Sequence, residues 1–242
     1  MRHLLTLVSA ALFASAVSAS DGEPFEWTKE KFDLVAGGDA AAGKSLAKKL
    51  RCKKCHNADG VSDDPDVPSI AGQRATYTYK QLVDFKNKVR TDRDMVKVAR
   101  KMSEQDMADL AAYYASLEAS VGQAAEDKVA LGEAIYRAGN SASGVSACAA
   151  CHGPAGNGNP MAKFPSLSGQ HADYTALQLK NFRAGARAEA DAHGQRCPEP
   201  ARRDPPSARV CYRLAKGLCW GLGGVARLVV GAAAVDARPP AG

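Results

Sequence analysis

The chain has 242 residues, enough for one large domain or two small ones, and a formal net charge of +6. That charge is unevenly placed: residues 20–189 carry 23 basic and 22 acidic side chains, whereas residues 190–242 carry eight and four. A nucleic-acid binder concentrates its basic residues on the folded part, so nucleic acid is excluded as a partner.

The N-terminus reads as an export signal. Arg2 and His3 make a short basic start, Leu4 to Val17 an apolar run, and Val17-Ser18-Ala19 a small-residue cleavage site. Residues 1–19 are therefore expected to be a secretory signal peptide, since the apolar run is too short to span a bilayer. In a bacterium this places the mature protein in the periplasm.

The next stretch, 20–120, has helical patterning. Asp39 can cap a helix through "AAAGKSLAKKL", with Leu46 and Leu50 on one face. "CKKCH" (52–56) follows at once, then a loop rich in Gly, Asp and Pro up to Pro68. "TYTYKQLVDFKNKV" is a second amphipathic helix. "SEQD" (103–106) is a capping-box start for a third, with Met107, Leu110, Tyr114 and Leu117 at core spacing. Residues 118–128 read as a linker, and "LGEAIYRAG" (131–139) opens a second unit that carries "CAACH" (148–152). No stretch of 20–186 alternates as a strand, so the expected fold class is all-α.

Four of the seven cysteines, Cys52, Cys55, Cys148 and Cys151, form two pairs, each followed by a histidine, His56 or His152. C-x-x-C-H is the attachment signal for c-type haem. Two thiols about one helical turn apart can reach the two vinyl groups of one porphyrin, and the adjacent histidine projects at the iron from the same side. Two covalently attached haem c groups are therefore expected, with four thioether cysteines and two proximal histidines. The competing reading is one zinc module of four thiolates. It leaves the histidine after each pair without a role.

The whole unit is repeated. "PSIAGQRATYTYKQLVDFK" (68–86) matches "PSLSGQHADYTALQLKNFR" (165–183) at a constant offset of 97. Pro68, Gly72, Gln73, Tyr77, Gln81, Leu82 and Phe85 answer Pro165, Gly169, Gln170, Tyr174, Gln178, Leu179 and Phe182. The organisation read from this is domain 1 over 20–120, a truncated domain 2 over 121–187, and an aberrant, disordered tail over 188–242.

Together, the export signal, the paired C-x-x-C-H units, the "P-S-hydrophobic-x-G-Q" segments and "LAAYYASL" (110–117) resemble the di-haem cytochromes c4. The resemblance covers roughly 36–187. It implies two tandem class I cytochrome c folds, the second incomplete, and a non-enzymatic, electron-transfer role with redox partner proteins. These would be a donor such as a quinol-oxidising complex and an acceptor such as a terminal oxidase, with peripheral membrane association left open. It also implies methionine as sixth iron ligand, which Met95 of "DMVKVARKMSEQD" supplies for the first haem, while Met102 and Met107 read as packing. A thioether raises the potential and fills the coordination site. The carbonyls of Pro68 and Pro165 are further implied to take a hydrogen bond from the proximal histidines.

The second unit has no equivalent methionine. Adding the offset to Met95 gives position 192, within "AEADAHGQRC", and no methionine follows Met161. Read one base later, codons for Asp191-Ala192 give Met or Thr, and Val210 allows Tyr or Phe opposite Tyr113. Such matches recur, so 188–242 reads as a shifted frame. A genuine extension with disulfides among Cys197, Cys211 and Cys219 is a rival reading. A membrane anchor over 217–235 ranks lower, because Arg227 in mid-run costs about 2.5–3.5 kcal/mol. An open second haem would also admit an alternative function, a di-haem peroxidase-like enzyme. His171 and His193 are the only histidines left over for it, and His171 reads as surface.

Overall fold

A computed structural model describes residues 25–187 apart from 123, 143–144 and 185. The expected signal peptide, the tail from 188 with its cysteines, position 192 and the candidate anchor lie outside the described residues. Among the described residues the structure is helical, with no strand beyond two isolated bridges. No helix there is long and apolar enough to cross a membrane.

The first unit begins with a helix that sequence patterning did not announce, α1 (Lys29–Ala36), capped by the Thr28 hydroxyl. Next is α2 (Ala40–Leu50), whose Ala41 and Ala42 amides donate to the Asp39 carboxylate at 2.7 and 3.2 Å. It stops at Arg51, which turns left-handed at φ 62°. A single turn, α3 (Lys53–His56), carries the first cysteine–histidine motif. Then come α4 (Ala75–Lys86), α5 (Arg93–Ala99) and α6 (Glu104–Ala115). The expected capping box at the start of α6 is formed reciprocally by Ser103 and Asp106.

These helices enclose one core. Tyr79 and Leu82 of α4, Val35 of α1, Ala47 of α2, and Met107, Leu110, Ala111 and Tyr114 of α6 are all buried in it. Leu46, Leu50 and Leu117 pack against its edge. Met102 and Met107 are core residues, 3% and 0% exposed. The crossing of α2 over α6 sets the closest approach. A side chain at Gly43 would overlap the Asp109 carbonyl and come within 2.8 Å of the Tyr113 Cβ. The same crossing is pinned by Asp39 N–H donating to the Asp109 carboxylate at 2.9 Å.

In the second unit the described elements are α7 (Glu126–Ala138), α8 (Ala149–His152) and α9 (Ala172–Ala184). Ile135 and Tyr136 are buried against Cys148, Ala149 and Leu167. The Tyr136 hydroxyl donates to the Gly153 carbonyl at 2.6 Å, tying α7 to the end of α8.

The two units meet through their repeated segments in a seam with pseudo-twofold symmetry. Arg90 and Arg187, which also stand 97 apart, cross over. Arg90 donates to the Tyr174 hydroxyl at 2.6 Å and to Gln81 at 2.7 Å. Arg187 donates to the Tyr77 hydroxyl at 2.6 Å, to Gln178 at 2.9 Å and to Gln81 at 3.0 Å. Each guanidinium also lies over a ring of its own unit, Phe85 at 4.6 Å or Phe182 at 4.5 Å. Farther along, Arg74 donates to the Asn157 carbonyl, and His171, its counterpart, meets the Ser62 carbonyl at 2.8 Å. His171 is therefore half-buried in the seam and not a surface residue: its exposed-looking position in the repeat is covered by the other unit. The same cover explains α4, which is buried on both sides. Its apolar stripe faces the first core, and its polar stripe, Tyr77 and Gln81, faces the second unit.

Two outcomes follow from this packing. Gly43→Ala should lower the stability of the first unit by about 1–3 kcal/mol, the usual cost of overpacking. That outweighs the roughly 1 kcal/mol that alanine gains over glycine in an open helix. A lowered Tm in thermal unfolding checks it. Arg187→Ala should remove charge-assisted bonds that each contribute about 1.5–3 kcal/mol and speed proteolytic cleavage between residues 119 and 125, leaving the first core intact.

Candidate haem-binding sites

Each cysteine–histidine motif is one helical turn, and the turn orders its side chains. In α3 the His56 amide bonds back to the Cys52 carbonyl at 3.1 Å, and in α8 the His152 amide bonds to the Cys148 carbonyl at 2.9 Å. This i,i+4 closure puts both cysteines and the histidine of a motif on one short rigid element. All four thiols are free of disulfides. Burial pushes the Cys52 thiol above its ordinary pKa, and burial does the same to Cys148. The Tyr114 hydroxyl stands within hydrogen-bond reach of Cys52, and its own pKa is raised, chiefly by burial.

Each imidazole is fixed through one ring nitrogen. His56 Nδ1 lies 2.9 Å from the Pro68 carbonyl, and His152 Nδ1 lies 2.9 Å from the Pro165 carbonyl. A carbonyl only accepts, so Nδ1 carries the proton in each ring and Nε2 presents a lone pair. Burial lowers the pKa of His56, against the opposing pulls of the Pro68 carbonyl and the Asp92 carboxylate. The ring is therefore neutral near neutral pH, the form that a metal needs. Both histidines are buried, at 7% and 5% exposure.

The loops that bring the prolines into place follow the sequence closely. Ile70 and Ala71 amides both donate to the Gly60 carbonyl, and Leu167 and Ser168 amides both donate to the Gly156 carbonyl. The motif glycines Gly72 and Gly169 then turn the chain at φ 66° and 71°, where a side chain at Gly169 would overlap the Ser120 carbonyl. Gln73 and Gln170 emerge next and cross to the opposite unit. Gln73 accepts from Ser166 N–H at 2.8 Å and donates to the Ser166 carbonyl at 3.0 Å. Gln170 accepts from Ser69 N–H at 3.0 Å and donates to the Ser69 carbonyl at 2.8 Å.

Met95 sits in the first turn of α5, its amide capped by Asp92 at 2.8 Å. Its side chain is half-buried against the first core. Asp92 is close enough to His56 to act on it electrostatically, so α5 begins near the imidazole. Met161, by contrast, is 80% exposed. Among the described residues, no group of three or more His, Cys, Asp or Glu side chains comes together to hold a metal ion. The four thiols therefore do not build one zinc site. Paired cysteines outside any disulfide, an imidazole oriented through Nδ1 and, in the first unit, a half-buried thioether are the donor set that a covalent haem requires, so the residues fit that group.

The sequence reading identified every cysteine and histidine of these motifs. It missed the cross-unit roles of Gln73, Gln170, Arg90 and Arg187. Extending the repeat comparison from Phe182 to Arg187 at the same offset would have found the arginines.

Comparison with known proteins agrees with this geometry. The family model for cytochrome c matches twice, over residues 40–118 and 129–210. A cytochrome c4 of Pseudomonas aeruginosa is 49% identical over 152 residues, 63% of this chain and 75% of that protein. A thiosulfate dehydrogenase electron acceptor of Stutzerimonas stutzeri is 32% identical over 185 residues, 74% of this chain and 78% of that protein. The crystal structure of reduced cytochrome c4 from Pseudomonas stutzeri superposes with a TM-score of 0.66 at 34% identity, over 82% of this chain and 99% of that one. Two class I cytochrome c units, each with a covalent haem c and joined for electron transfer, place this chain in the cytochrome c4 family.

Proposed function

We propose that the protein carries single electrons across the periplasm, through one haem held by Cys52, Cys55 and His56 and another held by Cys148, Cys151 and His152. Met95 would hold the first iron as its sixth ligand, since the other described thioethers of that unit, the buried Met102 and Met107, belong to the core. The observation that carries this is the shared geometry of both motif helices: two cysteines outside any disulfide and a histidine on one turn, with its Nδ1–H already engaged by a proline carbonyl. When bound, haem supplies a one-electron couple at iron. The chain's own residues do the rest. The prolines orient the imidazoles, and the core around Met95, Met102 and Met107 excludes water from one face. The division into a first unit over 20–120 and a second over 121–187 belongs to the same reading.

A quinol-oxidising complex as donor and a terminal oxidase as acceptor suit such a carrier, and both would draw it to the membrane surface. The relative named as an electron acceptor of thiosulfate dehydrogenase adds another class of donor, a periplasmic enzyme oxidising reduced sulfur. The peroxidase-like alternative is not favoured. It would need a distal acid–base group, and the His171 Nε2 is committed to the Ser62 carbonyl.

The expected outcomes are spectroscopic. The mature protein should keep its colour through acid–acetone extraction, which removes only non-covalent haem. Met95→Ala should abolish the weak near-infrared methionine–iron band of one haem and lower its potential. Met102→Ala should keep that band, although losing a core side chain costs about 2–5 kcal/mol. Loss of the band in Met102→Ala alone would transfer the ligand role to Met102.

A further inference from the structure

We infer that Gln73 and Gln170 are positioning residues, each of which sets the reduction potential of the haem in the other unit. The inference rests on His56 and His152 being the proximal ligands.

The connection runs through one peptide group on each side. The carbonyl that accepts the His56 proton belongs to Pro68, and the N–H of that same peptide unit is Ser69 N–H. Ser69 N–H donates to Gln170 Oε1 at 3.0 Å, and His56 Nδ1 lies 2.9 Å from the Pro68 oxygen. In the second unit Ser166 N–H donates to Gln73 Oε1 at 2.8 Å, and His152 Nδ1 lies 2.9 Å from the Pro165 oxygen. Two hydrogen bonds therefore meet on opposite ends of one conjugated amide, twice, and in each case the outer bond comes from the opposite unit.

Such bonds reinforce each other. An amide whose N–H is engaged shifts electron density to its oxygen, a strengthening of about 10–30% per bond. The better acceptor draws the Nδ1 proton outward, and an imidazole so polarised donates more strongly through Nε2. Stronger donation favours the oxidised iron, which lowers the potential. Glutamine suits the task because its amide matches a peptide at two points. Its oxygen takes Ser69 N–H while its nitrogen donates to the Ser69 carbonyl at 2.8 Å, which fixes the side chain in place. The Gln170 oxygen is further held by His171 N–H at 3.0 Å, and the Gln73 oxygen by Arg74 N–H at 2.8 Å. Gln73 is buried at 8% exposure, so water does not replace it.

The test uses the full holoprotein. Paramagnetic NMR follows the haem-methyl signals of each haem through a redox titration, giving two separate midpoint potentials. Gln170→Leu should shift the first haem's potential upward and leave the second unmoved, and Gln73→Leu should do the reverse. The shorter Gln170→Asn and Gln73→Asn, which keep a polar amide that cannot span the seam, should give the same crossed pattern if the leucine variants fail to accumulate. Tyr77→Phe weakens the seam without touching either peptide and should move neither potential. Shifts on the substituted unit's own haem, equal shifts in Tyr77→Phe, or no shift would each overturn the inference. A haem stain of the unaltered protein tests the underlying haem assignment separately, since its failure removes both signals at the outset.

Discussion

An imidazole serves an iron only while its second nitrogen is held in one orientation, and here a single backbone carbonyl does the holding. The proline oxygens 2.9 Å from His56 and His152 decide the tautomer, the ring plane and the direction in which Nε2 points. Much of each unit keeps that carbonyl in place. The loop from the motif to the proline is short and doubly tied, to Gly60 in one unit and Gly156 in the other. The glycine after it turns left-handed so that the chain can re-enter a helix against its neighbour. The first core then fixes that helix, because Tyr79 and Leu82 of α4 are locked among α6 side chains.

The seam between units is polar where a domain core would be apolar. Apolar contact is non-directional, so it would hold the units together without fixing their relative angle. Amide-to-peptide pairs and guanidinium forks accept only a narrow geometry. Two Gln–Ser pairings and two crossed arginines at separate points define an orientation. The arginines carry charge into the seam with hydroxyl, amide and ring partners around them, and one of them, Arg187, is only 5% exposed. A buried charge is tolerable only when its donors are used, and the crossed phenols and glutamines supply those acceptors.

Covalent chemistry was the most legible part of the sequence. Attachment of a porphyrin tolerates one spacing, so Cys52, Cys55, His56 and their repeats stand out without any structure. The capping box of Ser103 and Asp106 was equally plain, because it is a local pattern of two side chains and two amides. Helix α1 was not legible: eight residues, half of them charged, show little periodicity, and the helix owes its stability to packing on α4 and α6. The seam was invisible for a different reason. Gln73 and Gln170 were plain as repeats, but their partners lie about a hundred residues away. Nothing in one unit says that the polar side of α4 is covered. His171 looked like a surface residue for the same reason, since solvent and a second copy of the fold make the same demand on a sequence.

That seam has a consequence for how such a chain can change. A surface that pairs with its own likeness is encoded once when the copies are separate molecules, and any alteration appears on both sides together. Within one polypeptide the two sides are independent letters. Arg74 and His171 occupy the same place, and both meet a carbonyl of the loop opposite, Asn157 or Ser62. One is a permanent cation and the other an imidazole, a difference that no symmetric pair of identical chains could hold. Joining the copies in tandem frees each half to specialise while the geometry of their union stays common to both.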